Sequence, residues 1–118
     1  MVTYLLPLNV VVLREYLDES GRSPFGRWFD DLDPTAAAKV TTALARLEQG
    51  NFSRVKGVSA GVFESTIDFG PGYRIYFGKD GDALVILLGG GTKKRQAHDI
   101  ALAHERWADY KQRKAKGK

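Results

Sequence analysis

Two tight-turn signals in the middle of the sequence constrain the fold more than any other feature. Gly70-Pro71-Gly72 and Asp80-Gly81 carry residues typical of sharp chain reversals, since glycine adopts positive φ without strain. Residues 62–69 alternate apolar and polar side chains, 73–77 are largely aromatic or β-branched, and 83–88 are continuously apolar. All three patterns are typical of strands. The sequence therefore predicts three consecutive, mostly antiparallel strands.

Two helix-start signals precede these strands. Ser23-Pro24 and Asp33-Pro34 each place a capping side chain before a proline at the first helical position. Apolar residues then recur at helical spacing in two stripes: Phe25, Trp28, Phe29 and Leu32, and Val40, Ala43, Leu44 and Leu47. The second stripe stops at Gly50-Asn51. Helices so close in sequence are expected to form a helical hairpin.

The two ends of the chain complete the predicted fold. The β-branched run 10–13 predicts a buried first strand that extends toward Tyr16. Gly89-Gly90-Gly91 is expected to end the last strand, and a helix is predicted from Gln96 to Tyr110 or beyond. The fold class is α+β in the order β-α-α-β-β-β-α. Its helices are expected to cover one sheet face and leave the other polar and open, with Glu64, Thr66, Asp68, Arg74 and Tyr76 on that open face.

Length and composition indicate one small domain. The chain of 118 residues divides into a domain over 1–110 and a basic tail over 111–118. Cysteine is absent, which excludes disulfides and fits a reducing cytoplasm. The apolar start, Met1 to Leu13, has no basic residue ahead of it, so we expect neither a signal peptide nor a membrane span.

Positive charge is concentrated in the second half of the chain. The formal net charge is +4, and the sequence pI is about 9.4. Residues 1–53 hold 5 Lys/Arg against 7 Asp/Glu, whereas residues 54–118 hold 13 against 7. A one-sided basic field attracts polyanions and is typical of a nucleic-acid site. Part of that excess lies in the C-terminal tail, where it is equally consistent with a solvated chain end.

The candidate site combines the open face with the loop beside it. The sequence predicts that the cations meet there, and these are Lys56, Arg74, Lys93, Lys94 and Arg95. RNA cleavage suits such a cluster, because the 2′-hydroxyl already lies beside the phosphorus and fixed cations stabilise the developing charge. Tyr76 is a candidate for base stacking, and Glu64, Asp68 or His98 for proton transfer. With two histidines and no ligand spacing, neither a metal nor a cofactor is expected.

Each candidate also has a plain structural interpretation. Arg74 can pair with Glu64 or Asp68 across the hairpin and do nothing else. The 93–95 cations can be surface charge ahead of a helix, and Lys56 a solvated lysine. His98 can be a capping or surface residue, and Tyr76 a packing residue at the sheet edge. The candidate site therefore depends on the cluster rather than on any single residue.

Several motifs, in order, resemble one known group. They are Ser23-Pro24-Phe25 with Trp28-Phe29, Arg46-Leu47-Glu48-Gln49-Gly50-Asn51, Val55-Lys56-Gly57-Val58, Gly61-Val62-Phe63-Glu64, Phe69 through Tyr76, and Lys93-Lys94-Arg95-Gln96. Over residues 10–110 the chain resembles the phage-derived "addiction module killer" proteins, HigB-like members of the RelE/ParE toxin superfamily.

The resemblance implies a RelE-like fold and the toxin role in a type II toxin–antitoxin system. It implies a helix-turn-helix antitoxin as partner, operator DNA bound through that antitoxin, and cleavage of mRNA on the ribosome without a metal. Arg74 matches the arginine of the Gly-Tyr-Arg site, and Lys94 falls near a second catalytic arginine. Arg54, Arg95 and Gln96 are expected to bind RNA.

The resemblance does not extend to the full catalytic set. Two strand lysines of RelE correspond here to Ser65 and Ile67, and its C-terminal tyrosine falls near Ile100. The acid–base scheme therefore stays open. Two other functions share the fold: a ParE-like poison of DNA gyrase, and an inactive toxin that acts as co-repressor with its antitoxin.

Overall fold

A computed structural model describes residues 10–117 of the chain. Residues 1–9, on which the signal-peptide argument largely depends, lie outside this range. Three helices and five strands follow one another as β1 (Val12–Glu15), α1 (Pro24–Asp30), α2 (Pro34–Glu48), β2 (Val55–Gly57), β3 (Val62–Ile67), β4 (Tyr73–Lys79), β5 (Leu84–Thr92) and α3 (Gln96–Lys116), with a 3₁₀ turn (Lys93–Arg95) before α3.

The strands form one mixed, mostly antiparallel sheet in the order β1-β5-β4-β3-β2. The predicted trio β3, β4 and β5 is antiparallel and adjacent, and β1 pairs in parallel with β5. The short strand β2 is not predicted by the sequence, since its three residues carry no alternation. β1 lies at the sheet edge with Val12 49% exposed, so the prediction of a buried strand is wrong.

Both predicted helix starts are confirmed. The Ser23 hydroxyl accepts a hydrogen bond from the Gly26 amide, and the Asp33 carboxylate accepts one from the Ala36 amide, each at 2.9 Å. A proline follows each cap at the start of the helix. Because the caps fix where α1 and α2 begin, they also fix which side chains face the sheet.

Helices α1 and α2 cover one face of the sheet. Phe25 of α1 and Val40 and Leu47 of α2 are buried against strand residues. The strand side chains of this core include Ile67, Tyr73, Ile75, Phe77, Val85 and Leu87. These are the inward positions of the period-two pattern, so the sequence predicts this face correctly.

Helix α3 lies on the opposite face, where the sequence predicts an open surface. Trp107 and Ala103 of α3 pack with Tyr76, Ile86 and other residues in a second buried cluster. The expectation that all helices share one face is therefore wrong, and only the part of this face beyond the start of α3 stays open. No helix within residues 10–117 is long and apolar enough to cross a bilayer.

The triple glycine does not end β5, which continues through it to Thr92. A Cβ at Gly90 would lie 2.3 Å from the Trp28 ring of α1, and a Cβ at Gly91 would lie 1.9 Å from Asp99 Oδ2 of α3. The glycines are required because helices approach the strand from both sides. They act here as packing residues rather than as a chain break.

Candidate functional site

A cleft of about 440 Å³ lies beside the β3–β4 hairpin, beyond the N-terminal end of α3. The residues that line it are Arg54, Thr66, Ile67, Asp68, Gly70, Pro71, Gly72, Arg74 and Lys93. Three of these side chains are cations and one is a carboxylate. The structure thus brings together three of the predicted site residues, Arg54, Arg74 and Lys93, with Asp68 as the acidic member.

Arg74 is held in a fixed orientation in this cleft. It lies opposite Thr66 in the β3–β4 register, and its side chain is 14% exposed. Arg74 Nη1 donates a 3.1 Å hydrogen bond to the carbonyl oxygen of Gly72. Gly72 has a φ of 78°, and a Cβ added at this position would lie 2.8 Å from Arg74 Nη1. For both reasons this position requires glycine. The predicted rigidity of Arg74 therefore has a local cause in the turn.

Glu64 is buried beneath the cleft instead of facing it. Its side chain is 0% exposed, and Oε2 accepts a 2.7 Å hydrogen bond from Gln96 Nε2. Lys56 Nζ lies 3.5 Å from Oε1, and Arg74 Nε lies 4.0 Å from Oε2. Glu64 therefore joins β2, β4 and α3 through charge and hydrogen bonding. Glu64 does not line the cleft, and its role as a general base stays a prediction.

Tyr76 is also covered. It lies opposite Glu64 in the register and is 1% exposed, within the cluster under α3. Burial, followed by the negative charge of Glu64, raises the pKa of the Tyr76 hydroxyl above its ordinary value. Its ring has no exposed face on which a base can stack. The buried ring does not fit the predicted stacking role, and Tyr76 packs on a central strand rather than at the sheet edge that the alternative interpretation gave it.

Four buried polar atoms under the first turn of α3 have no hydrogen-bond partner within residues 10–117. They are Glu64 Oε1, Arg74 Nε, the Tyr76 hydroxyl and Asp99 Oδ2. Burial raises the pKa of Asp99 despite the opposing charges of Arg95, His98 and Arg106. Such unpartnered groups are uncommon in folded proteins, and they are typical of functional sites.

The 93–95 cations form an exposed turn at the rim of the cleft. The Lys93 amide donates a 2.8 Å hydrogen bond to the Gly72 carbonyl, which also accepts from Arg74. Lys93 lines the cleft, whereas Lys94 and Arg95 are exposed beside it. None of the ion pairs formed within residues 10–117 involves these three side chains.

The remaining candidates lie outside the cleft. Lys56 lies on β2 and pairs with Glu64 of β3. β2 is a regular edge strand, whereas the sequence suggests an irregular segment there. Gln96 donates a hydrogen bond to Glu64, and its expected contact with RNA stays a prediction. His98 is exposed on α3 and does not line the cleft. Among the described residues, no group of three or more His, Asp or Glu side chains is placed to hold a metal ion.

A second cleft, of about 280 Å³, continues from the first toward α2. Its lining adds Lys39, Thr42, Ala43, Arg46 and Phe69 to four residues of the first cleft. Sequence reasoning missed Lys39 and Arg46. The sequence shows only that Lys39, Thr42 and Arg46 share one face of the helix, because they follow at i, i+3 and i+7.

A larger cleft beside the middle of α3 has the opposite charge. It measures about 490 Å³ and is lined by Tyr16, Asp18, Glu19, Ser20, Leu102, Glu105, Arg106 and Asp109. Four carboxylates and one arginine make this surface unfavourable for a polyanion. This cleft therefore differs in charge from the cationic cleft at the hairpin.

Fold and site together define a small α+β domain with a cationic cleft beside a glycine-rich hairpin. Residues 27–108 match the phage-derived Gp49-like protein family, and the chain belongs to this family, which is associated with toxin–antitoxin modules. It is also 44% identical over 80 residues to an uncharacterized protein of Haemophilus influenzae, an alignment that covers 67% of this chain and 81% of the relative.

Proposed function

We propose that this protein is the toxin of a type II toxin–antitoxin module, a HigB-like member of the RelE/ParE superfamily that cleaves mRNA on the ribosome. Membership in a toxin–antitoxin-associated family supports the first part of this proposal. The charge and geometry of the hairpin cleft support the second part. Its partners would be a helix-turn-helix antitoxin, operator DNA bound through that antitoxin, and mRNA in the ribosome, within the cytoplasm.

One observation carries the nuclease proposal: the cleft presents cations that are not neutralised by the protein. Within residues 10–117, Arg54 and Lys93 form no ion pair, and Arg74 has only the 4.0 Å approach to Glu64. Cations held in place by the fold stabilise phosphoryl charge strongly, because they need no reorganisation during the reaction. Arginine also offers a planar pair of donors that matches two phosphate oxygens.

The chemistry needs no group beyond the RNA and the protein. The ribose 2′-oxygen attacks the adjacent phosphorus, the bond to the 5′-oxygen breaks, and a 2′,3′-cyclic phosphate and a 5′-hydroxyl form. One proton leaves the 2′-hydroxyl and one is added to the 5′-oxygen, so the step balances. Arg74 and Lys93 would stabilise the phosphoryl oxygens. Asp68 is the carboxylate among the described residues that line the cleft, and in this proposal it would accept the 2′ proton.

Primer extension on cellular transcripts after brief induction tests the proposal. The wild-type chain should produce cuts at defined codon positions, and Arg74→Ala should reduce cleavage about 100- to 1000-fold. Arg74→Lys keeps the charge but removes the paired donors, so its activity should be intermediate. Arg27→Ala, an exposed arginine of α1 that lines neither basic cleft, is the matched control and should cleave normally.

Two results would contradict the proposal. Intact transcripts together with altered DNA supercoiling would indicate a gyrase poison instead. Full toxicity of a folded Arg74→Ala variant would show that the cleft is not the active site. Unfolding of each variant by urea, followed by circular dichroism, separates a defect in activity from a defect in structure.

A further inference from the structure

The second cleft is a charged surface that the proposed cleavage step does not use. We propose that it is a binding subsite for the RNA strand that flanks the scissile link, with Lys39 and Arg46 of α2 contacting successive phosphates. This inference rests on the proposed function, because it extends the same RNA beyond the reacting phosphate.

Continuity between the two clefts is the first argument. They share Arg54, Thr66, Ile67 and Asp68 in their linings. The backbone at Arg54 is fixed, because its carbonyl accepts a 3.1 Å hydrogen bond from the Thr66 amide. A strand held at Arg74 would therefore pass Arg54 on its way to α2.

The arrangement of cations on α2 is the second argument. Lys39 and Arg46 are exposed and lie seven residues apart, about 10 Å along the helix axis. Thr42 lies between them and adds a hydroxyl to the same cleft. The Lys39 ammonium lies 5.2 Å from the centroid of the Phe69 ring, which holds it beside the hairpin. The hydrogen-bond donors of α2 are therefore spread along the helix, as contacts to an extended polyanion require, and do not converge on one point as they would around a single ion.

Unpaired charge is the third argument. Within the described part of the chain, Lys39, Arg46 and Arg54 form no ion pair with a carboxylate. Across both clefts, five cations meet one carboxylate, Asp68. An excess of positive charge that the protein does not neutralise favours binding of a polyanion. Single-stranded RNA fits better than a compact anion because the charged surface is elongated and leads into the candidate active site.

Binding of uncleavable RNA tests this subsite. Fluorescence anisotropy is measured with labelled 2′-O-methyl oligouridylates of four and twelve nucleotides, in which the attacking hydroxyl is blocked. The double variant Lys39→Gln/Arg46→Gln should bind the twelve-nucleotide probe about 10-fold more weakly. The slope of log K against log salt should fall by about 0.7 for each phosphate that the variant no longer neutralises.

Two controls make the result specific. The four-nucleotide probe should bind both proteins equally, because it occupies only the hairpin cleft. The double variant Lys111→Gln/Lys116→Gln removes two exposed cations at the far end of α3 and should bind both probes like the wild type.

The inference is overturned if the α2 variant keeps the wild-type affinity and salt slope for the longer probe. It is also overturned if that variant binds the acidic segments of a protein partner more weakly but binds RNA as before. Failure of the proposed function is separate: a wild-type chain that binds the longer probe through α2 but leaves cellular transcripts intact supports the subsite and contradicts the nuclease.

Discussion

The two ends of helix α3 satisfy their polar groups very differently. At the C-terminal end, the Tyr110 hydroxyl donates to Asp80 at 2.8 Å, and the Tyr16 hydroxyl donates to Asp109 at 2.6 Å. Arg113 also pairs with Asp109. At the N-terminal end, four buried polar atoms lack any hydrogen-bond partner within residues 10–117, and Glu64 is the most deeply buried of their residues.

This difference separates the part of α3 that stabilises the fold from the part that supports the site. Buried polar groups without partners reduce stability, and they persist where the fold needs charge for another purpose. At the N-terminal end, the buried charged groups of Glu64, Arg74 and Asp99 lie close to the cationic cleft. At the C-terminal end, hydrogen bonds and ring packing attach the helix to the sheet.

The largest expected effect is on attachment of the helix. Trp107 covers Gly78, where a Cβ would lie 2.4 Å from the indole ring. Trp107→Ala should lower the free energy of unfolding by about 3–5 kcal/mol, because it leaves a large cavity between α3 and the sheet. Urea denaturation measures the change. Lys111→Ala, which removes only the exposed cation over this ring, is the control and should cost under about 0.5 kcal/mol. Equal decreases for both variants would show that α3 is not held by Trp107.

A matched pair of tyrosine variants compares the two ends directly. Tyr110→Phe removes a hydrogen bond to a carboxylate and should lower the free energy of unfolding by about 1–2 kcal/mol. Tyr76→Phe removes a buried hydroxyl that faces the Glu64 carboxylate without a well-formed hydrogen bond, so it should cost less stability than Tyr110→Phe. Thermal or urea unfolding of both variants provides the measurement. A destabilisation by Tyr76→Phe as large as that by Tyr110→Phe would mean that its hydroxyl is satisfied, and the contrast would fail.

The smallest expected effects are on the pH dependence of the unfolding free energy, to which Asp99 and Asp109 contribute with opposite signs. Burial raises the pKa of Asp99, so its charged form destabilises the fold at neutral pH, and this cost disappears as the pH falls below the ordinary aspartate value. The Tyr16 and Arg113 hydrogen bonds lower the pKa of Asp109, so its charge stabilises the fold until the pH falls through that lowered value. The Asp99→Asn variant should therefore be more stable than the wild type at neutral pH, and the Asp109→Asn variant should be less stable.

The free energies of unfolding of both variants and the wild type are measured from neutral pH down to about pH 3. The difference between each variant and the wild type should become smaller as the pH falls. Shifts of the same sign would contradict the assignment.

Features set by neighbouring residues can be predicted from the sequence. The caps at Ser23 and Asp33, the turns at 70–72 and 80–81, and the inward positions of α2 all depend on interactions within a few residues. Such interactions are encoded by residue type and spacing. The three central strands and both early helices are predicted correctly for this reason.

Features set by distant residues cannot be predicted in this way. No local pattern reports that α3 crosses to the other sheet face, because its stripe around Trp107 fits either face equally well. The glycines of β5 suggest a break, whereas the structure shows that they make room for Trp28, which is distant in sequence, and for Asp99 of the following helix. The burial of Tyr76 and Glu64 follows from the same helix placement.

The centre of the site is predicted from the sequence, and its edge is not. The sequence points to Arg54, Arg74 and Lys93, and the structure brings them to one cleft. Lys39 and Arg46 escape prediction because the apolar stripe of α2 identifies its buried face and says nothing of what adjoins its solvent face. Only the fold shows that this face adjoins the hairpin.

The glycine run of β5 lets groups from two helices approach one strand from both faces of the sheet. At Gly90 and Gly91, the Trp28 ring and the Asp99 carboxylate approach the same strand from opposite sides, separated by one layer of backbone. No side chain lies between them to absorb a displacement by changing its rotamer. A displacement of the Trp28 ring or of the Asp99 carboxylate would therefore act directly on the backbone of β5.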